Sequence, residues 1–140
     1  ARRGGTAIER ESRAWVRDHG AVDTGSAAIT SGGELPAKYV IHAVGPVYDA
    51  TDQARRQLDA AVRSSLEMAD EHDLKSVALP AISTGIYGYP VQRAAGVILS
   101  AAIDYLQGET GLERVIFCLY DENTYSVFEN ALEELSDEQE

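Results

Sequence analysis

Ser83-Thr84-Gly85-Ile86-Tyr87-Gly88-Tyr89-Pro90 follows directly on the apolar run Val77-Ala78-Leu79-Pro80-Ala81-Ile82 and leads into a helical pattern from Val91 to about Leu106. Strand, glycine loop and helix in that order are how an α/β protein builds an anion site. The loop turns back at the end of a buried strand, its N–H groups point into a crevice, and the next helix adds its positive end. Gly85 and Gly88 are free to take φ > 0 and let a ligand approach the backbone. Pro90 suits a first helical turn, where a missing N–H costs nothing. Taken alone, S-T-G-x-x-G also reads as an ordinary tight turn, because short glycine motifs match often by chance.

Working outward, the pattern predicts a helix over about 7–19, with Thr6 and Glu9 as a capping box, Ile8, Ser12 and Trp15 on one face and Gly20 as the stop. Short strands are expected over 26–30 and 39–44, separated by turns at Asp23-Thr24-Gly25 and Ser31-Gly32-Gly33. Ala54, Leu58, Ala61, Val62, Ser65 and Ala69 recur at three- and four-residue steps and predict an amphipathic helix over about 52–71, with Asp73 in place of the usual glycine after it. Lys75 to Leu79 is the strand that feeds the glycine loop. Ala94, Ala95, Ile98, Ala102 and Tyr105 form the inner stripe of the next helix. Arg114 to Tyr120 reads as a strand apolar on both faces, and Asp121 or Asn123 as the cap of a last helix with Tyr125, Phe128, Leu132 and Leu135 inside. Helices alternating with apolar strands give an α/β fold, a three-layer α/β/α sandwich in a single domain over 1–140, with 136–140 as a frayed acidic tail. Ligands of such sheets bind beyond the carboxyl ends of the strands. Two such ends are the Ser83–Gly88 loop and Tyr120, whose ring can stack on a purine or rest half-buried on a neighbour.

The 140 residues carry 23 acidic and 12 basic side chains, a net charge of −11 with only two lysines, Lys38 and Lys75. This balance repels nucleic-acid backbones and disfavours a nucleic-acid partner. An acidic, lysine-poor surface suits a high-salt cytoplasm, and an ordinary acidic surface with an acidic tail gives the same counts. No apolar run approaches the ~20 residues of a membrane helix, and no signal-peptide pattern is present, so no membrane partner is expected. Cys118 is the sole cysteine, which fits a cytoplasmic location. His42 sits in an apolar strand with no carboxylate or nucleophile at a telling spacing. It reads as a half-buried, hydrogen-bonded histidine, and His19 and His72 read as exposed at helix ends. No metal site and no cofactor are expected.

Leu35-Pro36-Ala37-Lys38-Tyr39-Val40-Ile41-His42-Ala43-Val44-Gly45-Pro46, then Leu79 through Pro90, then Val115-Ile116-Phe117-Cys118-Leu119-Tyr120-Asp121, together resemble a macrodomain over about residues 4–135. That family binds ADP-ribose and includes ADP-ribose-1″-phosphate processing enzymes. The resemblance implies a macrodomain-like mixed sheet. It implies that Ser83, Thr84, Gly85, Ile86 and Gly88 form the second phosphate loop, whose N–H groups hold the diphosphate. Tyr87 then packs against the distal ribose and Tyr120 stacks on adenine. An acidic protein can still hold a diphosphate if backbone dipoles and a helix N-terminus supply the field.

The departure lies at the amino-terminal side. The family's strand ending in a Gly-Asp-Ile-Thr-like segment, its Asn-Ala-Ala-Asn-like segment and its first glycine-rich loop have no counterpart in these residues. The chain is therefore expected to lack the first two strands or so, which leaves at least one strand without its neighbour. The catalytic residues are unknown. The resemblance implies that the intact protein hydrolyses ADP-ribose derivatives at the distal ribose: ADP-ribose-1″-phosphate, O-acyl-ADP-ribose or mono-ADP-ribosyl esters. The alternative is a non-catalytic ADP-ribose reader, with an ADP-ribosylated protein as a further partner. A nicotinamide-dependent oxidoreductase is poorly matched, since no G-x-G-x-x-G follows a strand. A structural domain with a vestigial loop would be insensitive to nucleotides.

Overall fold

The computed structural model describes residues 4–85 and 87–138. In chain order the elements are α1 (Thr6–His19), β1 (Ala27–Ser31), β2 (Tyr39–Ala43), α2 (Asp52–Glu71), β3 (Ser76–Leu79), α3 (Val91–Gln107), β4 (Arg114–Phe117) and α4 (Glu122–Glu138). The α-β-β-α-β-α-β-α order is the one the hydrophobic periods predict. Strand pairing is mixed: β1 and β2 are antiparallel, Ala27 opposite Ala43 and Ser31 opposite Tyr39, whereas β3 and β4 are parallel, Ser76 opposite Arg114 and Leu79 opposite Phe117. The two pairs are separate two-stranded sheets, joined by the α2 crossover.

The core is built on α2. Its buried residues are Ala54, Leu58, Ala61, Val62, Ser65, Leu66 and Ala69, the predicted stripe with Leu66 added. Thr51 caps the helix, its hydroxyl accepting from the Ala54 N–H at 3.2 Å. At the other end Asp73 takes φ 56°, the left-handed turn after a helix that glycine normally provides. Helix α3 packs its Ala94, Ala95, Ile98, Leu99, Ala101 and Ala102 against the same core. The small residues let the helices approach closely. Asp70 fastens their far ends: its carboxylate accepts from the Tyr105 hydroxyl, from Thr110 Oγ1 at 2.6 Å and from the Gly111 N–H at 3.0 Å. Burial alone would raise the Asp70 pKa, but these bonds prevail and hold it below the ordinary carboxylate value. Burial, aided by the Asp70 bond, pushes Tyr105 up to about 12.

Several expectations are corrected. Thr6 is the first helical residue rather than a cap. Gly5 precedes it with no side-chain cap, and Glu9 pairs with Arg13 one turn on at 2.6 Å, so the capping box does not form. Strand β4 ends at Phe117 rather than Tyr120. It is covered on one face: Val115 and Phe117 pack on the core, whereas Ile116 is 42% exposed and its partner Ala78 on β3 is exposed too. Helix α4 is turned from its expected setting. Phe128 is buried and Leu135 packs on the core, but Thr124, Val127 and Ala131 complete the inner stripe while Tyr125 and Leu132 face out. Helix α4 continues to Glu138, and residues 139–140 lie outside the described residues. His72 is half-buried, its ring edge against Tyr39 at 5.1 Å, rather than exposed. Among the described residues no helix is long and apolar enough to cross a membrane.

Two predictions test this core. Leu58→Ala removes a side chain with 0% exposure and is expected to cost about 2–5 kcal/mol in urea unfolding. Asp70→Asn is expected to lower the melting temperature at pH 7. Because the Asp70 pKa is depressed in the folded chain, its contribution is present above pH 3.8 and lost as pH falls through the folded value. The gap between the two melting temperatures should therefore close below about pH 3.8, as followed by circular dichroism.

Candidate functional site

Two loops leave the carboxyl ends of β2 and β3 and are fastened to one another. The first runs from Val44 to Thr51 and the second from Pro80 to Pro90. The Tyr48 N–H donates to the Tyr87 carbonyl at 2.9 Å, and the Tyr89 N–H closes the second loop on the Ser83 carbonyl at 2.9 Å. The rings of Tyr48 and the buried Tyr89 meet edge to face at 4.9 Å, and Arg93 in the first turn of α3 donates to the Tyr48 hydroxyl at 2.8 Å. Gly45 touches the second loop so closely that a Cβ there would lie 2.3 Å from Ser83 Oγ and 2.5 Å from Ile82 Cγ2. That contact explains why a glycine stands at the end of the His42-Ala43-Val44-Gly45 run. Gly45, Tyr48 and Arg93 were not singled out from sequence. Gly45-Pro46 looked like a loop opening, and only the folded chain brings it against Ser83.

Within the second loop the residues divide by what their N–H groups do. The Thr84 N–H turns inward to the Ala81 carbonyl at 3.2 Å, with the Thr84 hydroxyl on the same oxygen at 2.7 Å. The Gly88 N–H bonds the Gly85 carbonyl at 3.0 Å. The N–H groups of Ser83, Gly85 and Tyr87 have no partner among the described residues. Gly85 is exposed, and a Cβ built on it would meet nothing within 4 Å. The left-handed positions are Ser83 at φ 68° and Gly88 at φ 73°, not Gly85. The expectation that Gly85 supplies a positive φ is therefore corrected. Its merit is the bare backbone it turns to open space. Ser83, a non-glycine residue held left-handed, stores about 1–2 kcal/mol of strain. The loop bonds and the Gly45 contact hold it there, and its buried Oγ has no partner among the described residues. Ile86 lies outside the described residues.

Helix α3 opens directly from the loop. Pro90 is its N-cap at φ −57°, one place earlier than a first-turn position, and no side chain caps the helix. The first-turn N–H groups and the positive end of the helix dipole therefore face the loop unneutralised. Tyr87 is 43% exposed above the loop. Tyr120 lies three residues beyond β4 and is 100% exposed, so it does not rest half-buried on a neighbour. Asp121 beside it is committed to structure: its carboxylate accepts from the Thr124 N–H at 2.8 Å and caps α4, which lowers its pKa. His42 also has a structural task, its Nε2 bonded to Thr30 Oγ1 at 3.0 Å, and burial lowers its pKa. No cluster of metal-ligating side chains occurs among the described residues. The arrangement offers an anion a set of backbone N–H groups and an open helix end.

The Macro domain family model matches residues 1–98. A macro domain-containing protein of Caldanaerobacter subterraneus is 44% identical over 133 residues, which cover 94% of this chain and 75% of that protein. A protein of Sulfurisphaera tokodaii is 45% identical over 131 residues, 94% of this chain and 71% of its own length. Among solved structures, the Oceanobacillus iheyensis macrodomain with ADP superposes with a TM-score of 0.92 at 31% identity, covering 99% of this chain and 74% of that one. The Trypanosoma brucei macrodomain in complex with ADP-ribose superposes with a TM-score of 0.73 at 32% identity, covering 79% of this chain and 46% of that one.

The contact at Gly45 gives the prediction here. Gly45→Ala is expected to push the two loops apart and destabilise the chain by about 1–3 kcal/mol in urea unfolding, as overpacking does. Gly96→Ala, where a Cβ meets nothing within 4 Å, is expected to be neutral or stabilising in the same measurement.

Proposed function

We propose that this chain, which belongs to the macrodomain family, binds ADP-ribose with its diphosphate on the Ser83–Gly88 loop. The observation that carries the reading is the exposed, uncrowded Gly85 with its free N–H, set between a parallel strand and the uncapped end of α3. Solved relatives bound to ADP and ADP-ribose supply the ligand class. The N–H groups of Ser83, Gly85 and Tyr87 donate to phosphate oxygens, while Thr84 and Gly88 shape the loop through their internal bonds. Ile86 belongs to the same loop by sequence. Tyr87 packs on the distal ribose and Tyr120 stacks on adenine. Backbone dipoles carry the charge recognition, which reconciles a dianionic ligand with a chain of net charge −11.

The intact protein is further proposed to hydrolyse ADP-ribose derivatives at the distal ribose. No side chain of the loop is a strong nucleophile at neutral pH. The contribution of this chain is to hold the diphosphate so that the distal ribose and an attacking water meet in a fixed geometry. The alternative is a reader that binds without turnover, with ADP-ribosylated protein as its partner. The Asp121 carboxylate and the His42 imidazole are both engaged structurally, which favours that alternative for these residues taken alone.

Isothermal calorimetry of ADP-ribose against this chain, with AMP and ribose-5-phosphate as controls, tests the reading. Binding of ADP-ribose well above both controls is expected. Gly85→Val should abolish it by putting a branched side chain where phosphate approaches; near-normal affinity would sink the loop assignment. Tyr120→Ala should cost about 1–3 kcal/mol of binding, by analogy with base stacking on aromatics. A loss within experimental error would remove Tyr120 from the site.

A further inference from the structure

Tyr87 is held through its backbone. Its carbonyl accepts from the Tyr48 N–H at 2.9 Å, and the N–H of the same peptide unit, that of Gly88, bonds the Gly85 carbonyl at 3.0 Å. A peptide unit is planar, so bonds on both of its edges fix the plane and the Cα from which the Tyr87 ring projects. The ring itself has no aromatic partner among the described residues and is 43% exposed. Its placement therefore depends on that backbone clamp, and one jaw of the clamp is Tyr48.

Tyr48 lies in the loop after β2, where Ala50, at φ 62°, is a non-glycine residue in the left-handed region. Two side-chain contacts hold Tyr48 in place. Its half-buried ring meets the buried Tyr89 edge to face at 4.9 Å, and its hydroxyl accepts from Arg93 Nη1 at 2.8 Å. A line of contacts thus runs from Arg93 in the first turn of α3, through Tyr48, to the Tyr87 carbonyl on the glycine loop.

Arg93 stands against local preference. A cation in the first turn of a helix opposes the helix dipole, and α3 has no acidic residue in that turn to offset it. Arg13, Arg55, Arg56 and Arg63 each pair with a carboxylate. Arg93 takes part in no ion pair among the described residues, although the chain has 23 acidic side chains, and donates to a neutral hydroxyl. Departures from local preference of this kind concentrate at functional positions.

Given the ADP-ribose reading, on which this inference rests, we propose that Tyr48 and Arg93 are positioning residues for the distal-ribose end of the ligand. Arg93 holds the Tyr48 hydroxyl, Tyr48 holds the Tyr87 carbonyl, and Tyr87 meets the distal ribose in one orientation. Neither Tyr48 nor Arg93 touches the ligand. Together they set the preference for ADP-ribose over ADP, which lacks that ribose.

Calorimetric titration of ADP-ribose and of ADP into the wild-type chain, Tyr48→Phe and Arg93→Met tests this. Tyr48→Phe removes one oxygen and keeps both the ring and the backbone bond to Tyr87. Each variant is expected to weaken ADP-ribose by roughly three- to tenfold, the worth of one net hydrogen bond, and ADP by less than about twofold. The double variant should bind no more weakly than either single one, because both changes remove the same bond. In a Tyr87→Ala background, Tyr48→Phe should have no further effect on ADP-ribose. A merely structural role would lower the melting temperature and leave the ratio of the two affinities unchanged; that result would overturn the proposal. Equal weakening of both ligands by Arg93→Met would make Arg93 a source of charge rather than of position, and would overturn it too. Both of those results leave the ligand reading standing. A folded wild-type chain that binds ADP-ribose no better than AMP would overturn the ligand reading and this inference with it.

Discussion

The buried stripe of α2 is the constraint on which the rest depends. Leu58, Val62, Leu66 and Ala69 face the core with no exposed area, and the helix connects one half-sheet to the other. Because β2 and β3 do not pair, their relative positions are held by the packing of this helix and of α3 against it, and by Asp70 at its far end. The two loops that form the candidate site leave those same two strands. Their contact, Gly45 against Ser83 and Tyr48 against Tyr87, can exist only if α2 holds the strand ends at the right separation.

The site meets a charge problem by geometry. A chain of net charge −11 repels a diphosphate at long range; in the proposed reading the loop meets it with N–H dipoles and the uncapped start of α3 at short range. Dipoles act over a few ångströms and charges on the rest of the surface are screened, so the near field decides. This also explains the labour divided within the loop. Thr84 and Gly88 spend their N–H groups on folding the turn, and Ser83 accepts a left-handed backbone, so that Gly85 and Tyr87 can present theirs outward.

Much of this was legible in the sequence because periodicity reports burial directly. The α2 stripe and the strand–loop–helix order around Ser83 follow from spacing alone, and the Asp73 turn from a residue that tolerates φ > 0. What failed depended on partners. The Thr6–Glu9 capping box was outcompeted by a Glu9–Arg13 pair on the exposed face. Tyr125 and Leu132 read as core residues because they are apolar, but the face that α4 turns inward carries Thr124, Val127 and Ala131 instead. Gly45, Tyr48 and Arg93 were invisible because their role arises from a contact between loops about forty residues apart.

The central claim is that free backbone N–H groups of the Ser83–Gly88 loop receive the phosphates of ADP-ribose. Amide chemical shifts of the ¹⁵N-labelled chain, followed while ADP-ribose is added, test it most directly. The account predicts saturable shifts that are largest at Gly85 and Tyr87, with the buried amides of α2 unmoved. Saturable shifts that leave Gly85 and Tyr87 in place, or no shifts in a chain that retains its folded spectrum, would contradict it.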